Sequence, residues 1–302
     1  MPEYLPYSER HPCIQYQDLL RSIIRDGEKV ATKQGPAAYS RIGVQMRFNL
    51  AHGFPIIVQR DMSKFWRSGI GELCAFINGA RTLSELAQFG CKWWGPWATE
   101  DKCRSRGLEA GDLGPGSYGH AFRHFTTSDD PNEEGFDQFG HLIRKLRDLP
   151  EDRTALVSPW VPPFNHREYG IKSRNTIAPC HGWIQARVMN GNLHLHMKQR
   201  SGDTPVGVPS NMVQYAALGL MIEHLTGYKF TEYVHYIVDA HIYEDQEEHA
   251  REMMVRWPKR LPAVVLNEAG QAVSDIHDFR AEHFDLYDYD PHPEISGIPV
   301  SV

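Results

Sequence analysis

An α+β fold follows from three features of this 302-residue sequence. Apolar residues keep helical spacing through most of the first half. After residue 154 the period changes to strand-like alternation. Helices then return, without the regular strand–helix repetition that a parallel α/β sheet needs. A hydrophobic content of 41%, with 11% aromatics, is enough to bury a sizeable core, and the length allows one large domain or two smaller ones.

Taken in order, residues 16–33 carry Leu19, Leu20, Ile23 and Ile24 at helical spacing, and Gly27 interrupts the second half. Residues 64–76 form the next expected helix, buried through Phe65, Ile70, Leu73 and Phe76. Residues 90–117 are rich in Gly, Trp and charge and read as a long irregular excursion, a type of segment often tied to function. Helical spacing resumes over 136–149 and stops before Pro150. Residues 154–160, 182–188 and 193–199 then read as strands. The last of these, LHLHMKQ, alternates as a half-buried strand should, and Asn190-Gly191 is a hairpin signal. A long apolar helix over 209–226, a strand over 230–238 and a helix over 241–255 follow. The Pro-rich tail from Asp290 is irregular. No repeat, low-complexity tract or Ser/Gly linker divides the chain.

The formal net charge is -6 and the pI about 6.2, so no basic excess points to nucleic acid. An anionic substrate therefore needs a local cluster of cations. The start of the chain does not read as a signal peptide, and no apolar run has the length of a membrane span. The five cysteines are scattered, with no CxxC pair for zinc or redox chemistry; no metal is expected. That usage suits a reducing, cytoplasmic setting.

Four stretches carry candidate chemistry. Pro179-Cys180-His181 is followed some twenty residues on by Gln199-Arg200-Ser201-Gly202-Asp203, and a cation beside Cys180 would lower its thiol pKa and make it a nucleophile. On local context alone, Cys180 reads as a small buried hydrophobe before it reads as a nucleophile. Asn211, at the start of a helix after Gly207, offers both a donor and an acceptor for an amide-like base edge, or serves as a cap. His241 and Tyr243 share a face if their segment is extended. Gly111-Asp112-Leu113-Gly114-Pro115 reads as a tight turn ahead of Tyr118, and Trp93, Trp94 and Trp97 precede it as core groups or as a stacking surface.

In order and spacing these stretches resemble the thymidylate synthase family. The likeness extends from the run GVQMRFNL at Gly43 through Glu72, Trp94, Trp97, GDLGP, Tyr118, PCH, QRS, Asp203, Asn211 and DAHIY to the YDPHP motif at Tyr289. It implies one catalytic domain over residues 1–302, with a central mixed sheet that packs at a homodimer interface. It further implies that Cys180 attacks C6 of a pyrimidine nucleotide, so that C5 takes a one-carbon unit from 5,10-methylenetetrahydrofolate. Glu72, Tyr118 and His181 match a proton network, with Arg200 beside the nucleophile. The resemblance further implies a nucleotide site of Lys33, Arg200, Ser201, Asn211, His241 and Tyr243, completed by Arg153 of the partner subunit. Arg60, Trp94, Trp97, Asp203, Gly207 and the C-terminal Val302 match the folate site.

Several positions depart from the family pattern. Thr154 replaces the second of two arginines, Lys33 an arginine, Ser210 a phenylalanine, Val161 an asparagine, and Ala121-Phe122 a Gln-Trp pair. These mark a divergent member. Trp94 and a closing tail exclude water, which favours methylation with dihydrofolate release over hydroxymethylation with tetrahydrofolate release. Asn211 favours uracil, hence dUMP over dCMP, and Ser201 with Arg153 favours a deoxyribonucleotide. A non-catalytic nucleotide- or RNA-binding homologue would have no reason to retain Cys180, Glu72, Arg200 and Asn211 together.

Overall fold

The protein is described by a computed structural model over residues 3–126, 135–166 and 172–301. Its helices are α1 (Gln15–Asp26), α2 (Trp66–Ile77), α3 (Leu83–Gln88), α4 (Glu100–Arg104), α5 (Tyr118–Arg123), α6 (Gln138–Asp148), α7 (Pro162–Asn165), α8 (Gly207–Thr226), α9 (Glu247–Val255) and α10 (Glu268–Gln271). Strands β1 (Glu28–Val30), β2 (Ala38–Asn49), β3 (Leu156–Val157), β4 (Trp183–Met189), β5 (Asn192–Asp203) and β6 (Lys229–Tyr243) form one sheet in the order β1-β2-β6-β5-β4-β3. Only β5 and β6 run parallel; the other neighbours are antiparallel, so the sheet is mixed. Strands β7 (Ala263–Leu266) and β8 (Phe284–Tyr287) pair separately.

The β4–β5 hairpin turns at Asn190 and Gly191, both with positive φ (52° and 76°), as Asn-Gly allows. Alternation along β4 and β5 buries Ile184, Ala186, Val188, Leu193, Leu195 and Met197 on one face. Helix α8 packs against β5 and β6, and α2 packs on α8. Sixteen of its 20 residues are buried, so it is apolar on nearly every side, as an interior helix is. A Cβ at Gly219 would stand 2.2 Å from the Phe230 ring, so glycine is what lets helix and sheet approach.

The parallel β5–β6 pair fixes the location of the site. Register pairs Ser201 with Asp239 and Asp203 with His241, while β2 pairs Ser40 with His241. The polar ends of three strands therefore meet at one end of the sheet, where α8 also begins.

Several sequence expectations are corrected. The first helix ends at Asp26 rather than Lys33; β1 and a turn follow. The expected strand over 154–160 is only Leu156–Val157. The expected helix over 241–255 begins at Glu247, because pairing with β2 holds His241 and Tyr243 extended in β6. Strand β5 runs on from Gln199 to Asp203, beyond the apolar alternation. The excursion over 90–117 contains α4 and a 3-10 turn at Gly95–Trp97. The helices expected at 64–76, 136–149 and 209–226 match α2, α6 and α8 to within a few residues. Among the described residues no helix is long and apolar enough to cross a membrane.

Candidate active site

Cys180 lies just before β4, in a loop shaped by Gly182. The φ of Gly182 is +95°, and a Cβ there would meet the Tyr215 hydroxyl at 2.8 Å and the Phe122 ring at 2.9 Å. The Cys180 N–H donates to Tyr118 Oη at 2.6 Å. Arg200 reaches across from β5: its Nε donates to the Pro179 carbonyl (2.7 Å), and its Nη2 donates to the Ala178 carbonyl (2.9 Å) and stands 3.3 Å from Cys180 Sγ. The Arg200 main-chain N–H also donates to the Cys180 carbonyl at 2.7 Å. The guanidinium is thus fixed by the backbone of the loop whose thiol it faces.

Burial pushes the Cys180 thiol above its ordinary range, and Arg200 and Tyr118 only partly oppose this. This corrects the expected lowering: the cation is in place, but desolvation outweighs it, and in the unliganded chain Cys180 is a protonated thiol at neutral pH.

The His181 ring stacks on Tyr118 with centroids 4.5 Å apart, and its Nδ1 is 2.6 Å from Tyr215 Oη. Burial, with Arg200 nearby, drives His181 down to about 3, so the imidazole is neutral. Burial raises Tyr118 and Tyr215 well above the usual phenol range, so both keep their protons.

Glu72 projects from α2 and is 4% exposed. Its Oε1 accepts from the indole Nε1 of Trp93 (2.6 Å) and of Trp94, and its Oε2 accepts from Gln214 Nε2. Burial raises its pKa, against the pull of these donors. Asn211 Nδ2 donates to Gln214 Oε1 (2.9 Å), Gln199 Nε2 donates to Asn211 Oδ1 (3.0 Å), and His235 Nε2 lies 2.8 Å from Gln199 Oε1. A buried line of side chains therefore joins Glu72 to Asn211 and on to His235.

At the strand ends, the Ser201 hydroxyl donates to Asp239 Oδ2 (3.2 Å) and the Ser40 hydroxyl to Asp239 Oδ1. His241 Nδ1 is 3.6 Å from the same carboxylate. Desolvation of Asp239 is outweighed by the nearby His241 ring and the hydrogen bonds from Ser40 and Ser201, which hold it below the usual carboxylate range. His241 and Tyr243 share a face, their rings edge-on at 5.1 Å. Burial, then the Asp203 charge, pushes Tyr243 up to about 12. Lys33 is exposed in the turn joining β1 to β2, at the sheet end where Ala38 pairs with Tyr243. Arg153 is exposed ahead of β3, and its carbonyl accepts from Gln185. Thr154 is engaged by Lys145 and Asp152.

Asp203 ends β5. Its Oδ1 accepts from the Val206 N–H (3.2 Å) and its Oδ2 from Gln246 Nε2 (3.0 Å). The same Gln246 amide donates to the Pro299 carbonyl at 2.8 Å, bringing the C-terminal tail to this carboxylate. Burial pushes Asp203 up to about 6. Gly207 opens α8 beside it. Trp94 is buried and Trp97 half-buried, with rings 5.8 Å apart. Arg60 is buried and donates to the Pro205 carbonyl at 3.0 Å, while its Nε finds no partner. Val302 lies outside the described residues. Among the described residues no three His, Cys, Asp or Glu converge as metal ligands would.

The profile of the family described as "Thymidylate synthase" matches residues 14–302, nearly the whole chain. The chain belongs to the thymidylate synthase family. It is 35% identical over 295 residues to a bifunctional dihydrofolate reductase-thymidylate synthase of Zea mays, covering 95% of this chain and 54% of that protein. It is 36% identical over 295 residues to a putative bifunctional dihydrofolate reductase-thymidylate synthase of Oryza sativa subsp. japonica, covering 95% and 57%. The chain thus spans about half the length of these curated relatives.

In this thymidylate synthase-family chain, the structure gathers Cys180, Tyr118, His181 and Arg200 around one thiol, and Glu72, Trp94 and Asn211 along one buried line. Ser201, His241 and Tyr243 gather at the strand ends, and Asp203 and Gly207 at the head of α8. It leaves Lys33 and Arg153 exposed. Sequence reasoning missed Gln214, and it singled out Trp93 only as a core or stacking indole and Asp239 only as part of the DAHIY stretch, without their contacts to Glu72 and to Ser40 and Ser201. Gln214 was within reach, since it follows Asn211 by three residues on a helix and so shares its face. Asp239 is set by parallel register, which no local pattern reports.

Proposed function

We propose that this chain methylates C5 of dUMP, with 5,10-methylenetetrahydrofolate as donor, giving dTMP and dihydrofolate. The observation that carries this is a thiol 3.3 Å from a backbone-fixed guanidinium and one residue from a neutral imidazole packed on a tyrosine. In this proposal Cys180 Sγ bonds to C6 of the uracil while the thiol proton passes to O4 through the Glu72, Tyr118 and His181 groups, and the C5–C6 π electrons make C5 a carbon nucleophile. The C5 proton is later lost and the S–C6 bond breaks, which frees the thiol. Neutral uracil C5 is otherwise a poor nucleophile, hence the covalent route. Asn211 holds the base edge. Glu72, Tyr118 and His181 move and hold protons about the ring; Glu72 suits this because burial raises its pKa.

Arg200, Ser201 and Lys33 receive the phosphate, with Arg153 of the partner subunit, and His241 and Tyr243 hold the sugar hydroxyl. The half-exposed outer face of the sheet, with Trp183, Gln185 and His196, supports a homodimer. The folate supplies a one-carbon unit and then a hydride. The residues present fit it: Asp203 accepts two N–H donors and keeps lone pairs for those of a pterin, and Trp94 and Trp97 offer flat apolar surface. Arg60, Gly207 and the tail around Pro299 border that site and exclude water. The chain acts as one catalytic domain over residues 1–302, in the cytoplasm, where thiols stay reduced.

The test is incubation with 5-fluoro-dUMP and 5,10-methylenetetrahydrofolate, followed by intact mass. A covalent ternary adduct is expected; its absence overturns the proposal. With dUMP itself, product mass and dihydrofolate absorbance distinguish methylation from 5-hydroxymethylation with tetrahydrofolate release.

A further inference from the structure

We infer that Gln214 is a positioning residue that fixes which way round the Asn211 amide faces, and so sets the preference for uracil over cytosine. The inference deepens the proposed function and rests on it.

An amide can occupy its site in two orientations that differ by exchange of oxygen and nitrogen. Along the Glu72–Gln214–Asn211–Gln199 line that choice is closed from both ends. At one end, both oxygens of Glu72 receive N–H donors, two indoles on Oε1 and Gln214 on Oε2. The Gln214 atom facing Glu72 is therefore its nitrogen, and Gln214 Oε1 faces Asn211. At the other end, Gln199 Nε2 donates to the main-chain carbonyl of Ser201 at 3.0 Å. A backbone carbonyl only accepts, so Gln199 also turns its nitrogen towards Asn211. The two ends agree: Asn211 presents nitrogen to Gln214 and oxygen to Gln199. A flip would set N–H against N–H on one side and oxygen against oxygen on the other, in a site where Gln214 is 0% and Asn211 6% exposed.

In that orientation Asn211 keeps one N–H and one oxygen lone pair for a ligand. Uracil offers a matching N3–H donor and O4 acceptor. Cytosine presents the reverse, an N3 acceptor and an N4 amino donor, and so meets like groups. Gln214 needs no contact with the base to enforce this; it acts through Asn211.

The experiment measures dUMP and dCMP dissociation constants by calorimetry, with kcat for dUMP, on the full chain and two variants. Gln214→Met keeps the volume but removes the amide. The dCMP/dUMP ratio of dissociation constants should fall about tenfold, as the loss of one oriented hydrogen bond gives. Gln214→Glu keeps an acceptor towards Asn211 but sets a second carboxyl against Glu72. The ratio should be retained within about threefold while kcat drops, because the two carboxyls must then share a proton. A folded Gln214→Met variant with an unchanged ratio overturns the inference, and so does a Gln214→Glu variant that loses the ratio as Met does. If the unsubstituted chain binds neither nucleotide and forms no 5-fluoro-dUMP adduct, the proposed function itself falls, and this inference with it.

Discussion

The Sγ of Cys180 lies 3.3 Å from Nη2 of Arg200, while the same guanidinium donates to the carbonyls of Ala178 and Pro179. The loop that carries the nucleophile thus orients its own cation, and burial still keeps the thiol protonated. Iodoacetamide alkylation of Cys180 should therefore keep rising above pH 9 instead of levelling near neutrality. Arg200→Met removes the opposing charge, and the alkylation rate at pH 8 should fall about tenfold, one pKa unit's worth. Peptide mapping after timed alkylation reports this site apart from the other four cysteines. A plateau near pH 7 in the unsubstituted chain would refute the protonated thiol.

Cys180→Ser should lose turnover by about a thousandfold or more, since serine is a far weaker nucleophile, and keep dUMP affinity within a few-fold. Steady-state kinetics and calorimetry on the same preparation separate the two effects. Appreciable turnover in a cysteine-free sample would remove Cys180 from the mechanism.

Trp93→Phe removes one of two indole donors from Glu72 Oε1. A hydrogen bond to the charged carboxylate lowers its pKa, so its loss raises it further. The acid limb of kcat/KM against pH should shift upward by about half to one unit. An unmoved limb would mean that Glu72 does not control it. No limb near the usual imidazole range is expected from His181, which burial already holds neutral down to about 3.

How far the sequence reached depended on where side-chain chemistry and local periodicity agreed. Helix α8 was legible because its apolar run is long and unbroken, and the β4–β5 hairpin because Asn190-Gly191 matches the turn. Strands β5 and β6 were read short because Arg200, Ser201, Asp203, His241 and Tyr243 replace apolar alternation with polar groups at the site. Strand β2 was recognised only as a motif; it passes through Gly43 at φ +74° and leaves Ile42 68% exposed, which breaks the usual strand pattern. The nearness of Arg200 to Cys180 was legible from the order of motifs. The sign of the thiol shift was not, because it depends on burial created by Tyr118, Tyr215 and α5 from elsewhere in the chain.

Asp203→Asn tests whether this carboxylate is kept at a cost to the fold. Burial raises its pKa to about 6, above an unfolded value near 4. Between those values the native state binds the extra proton, so wild-type stability falls as pH rises through that window and stays lower above it. Asparagine is neutral throughout and keeps an oxygen for the Val206 N–H or the Gln246 amide. At pH 7.5 the variant should therefore be more stable by about 1 kcal/mol, discounted because Asp203 is partly solvent-accessible, and the gain should vanish near pH 4. Urea melts at the two pH values measure this. The same variant should show a raised folate KM, as expected where a functional group is retained against stability. A variant equally destabilised at both pH values would mean that Asp203 holds the head of α8 together, and that its charge is not a liability to the fold.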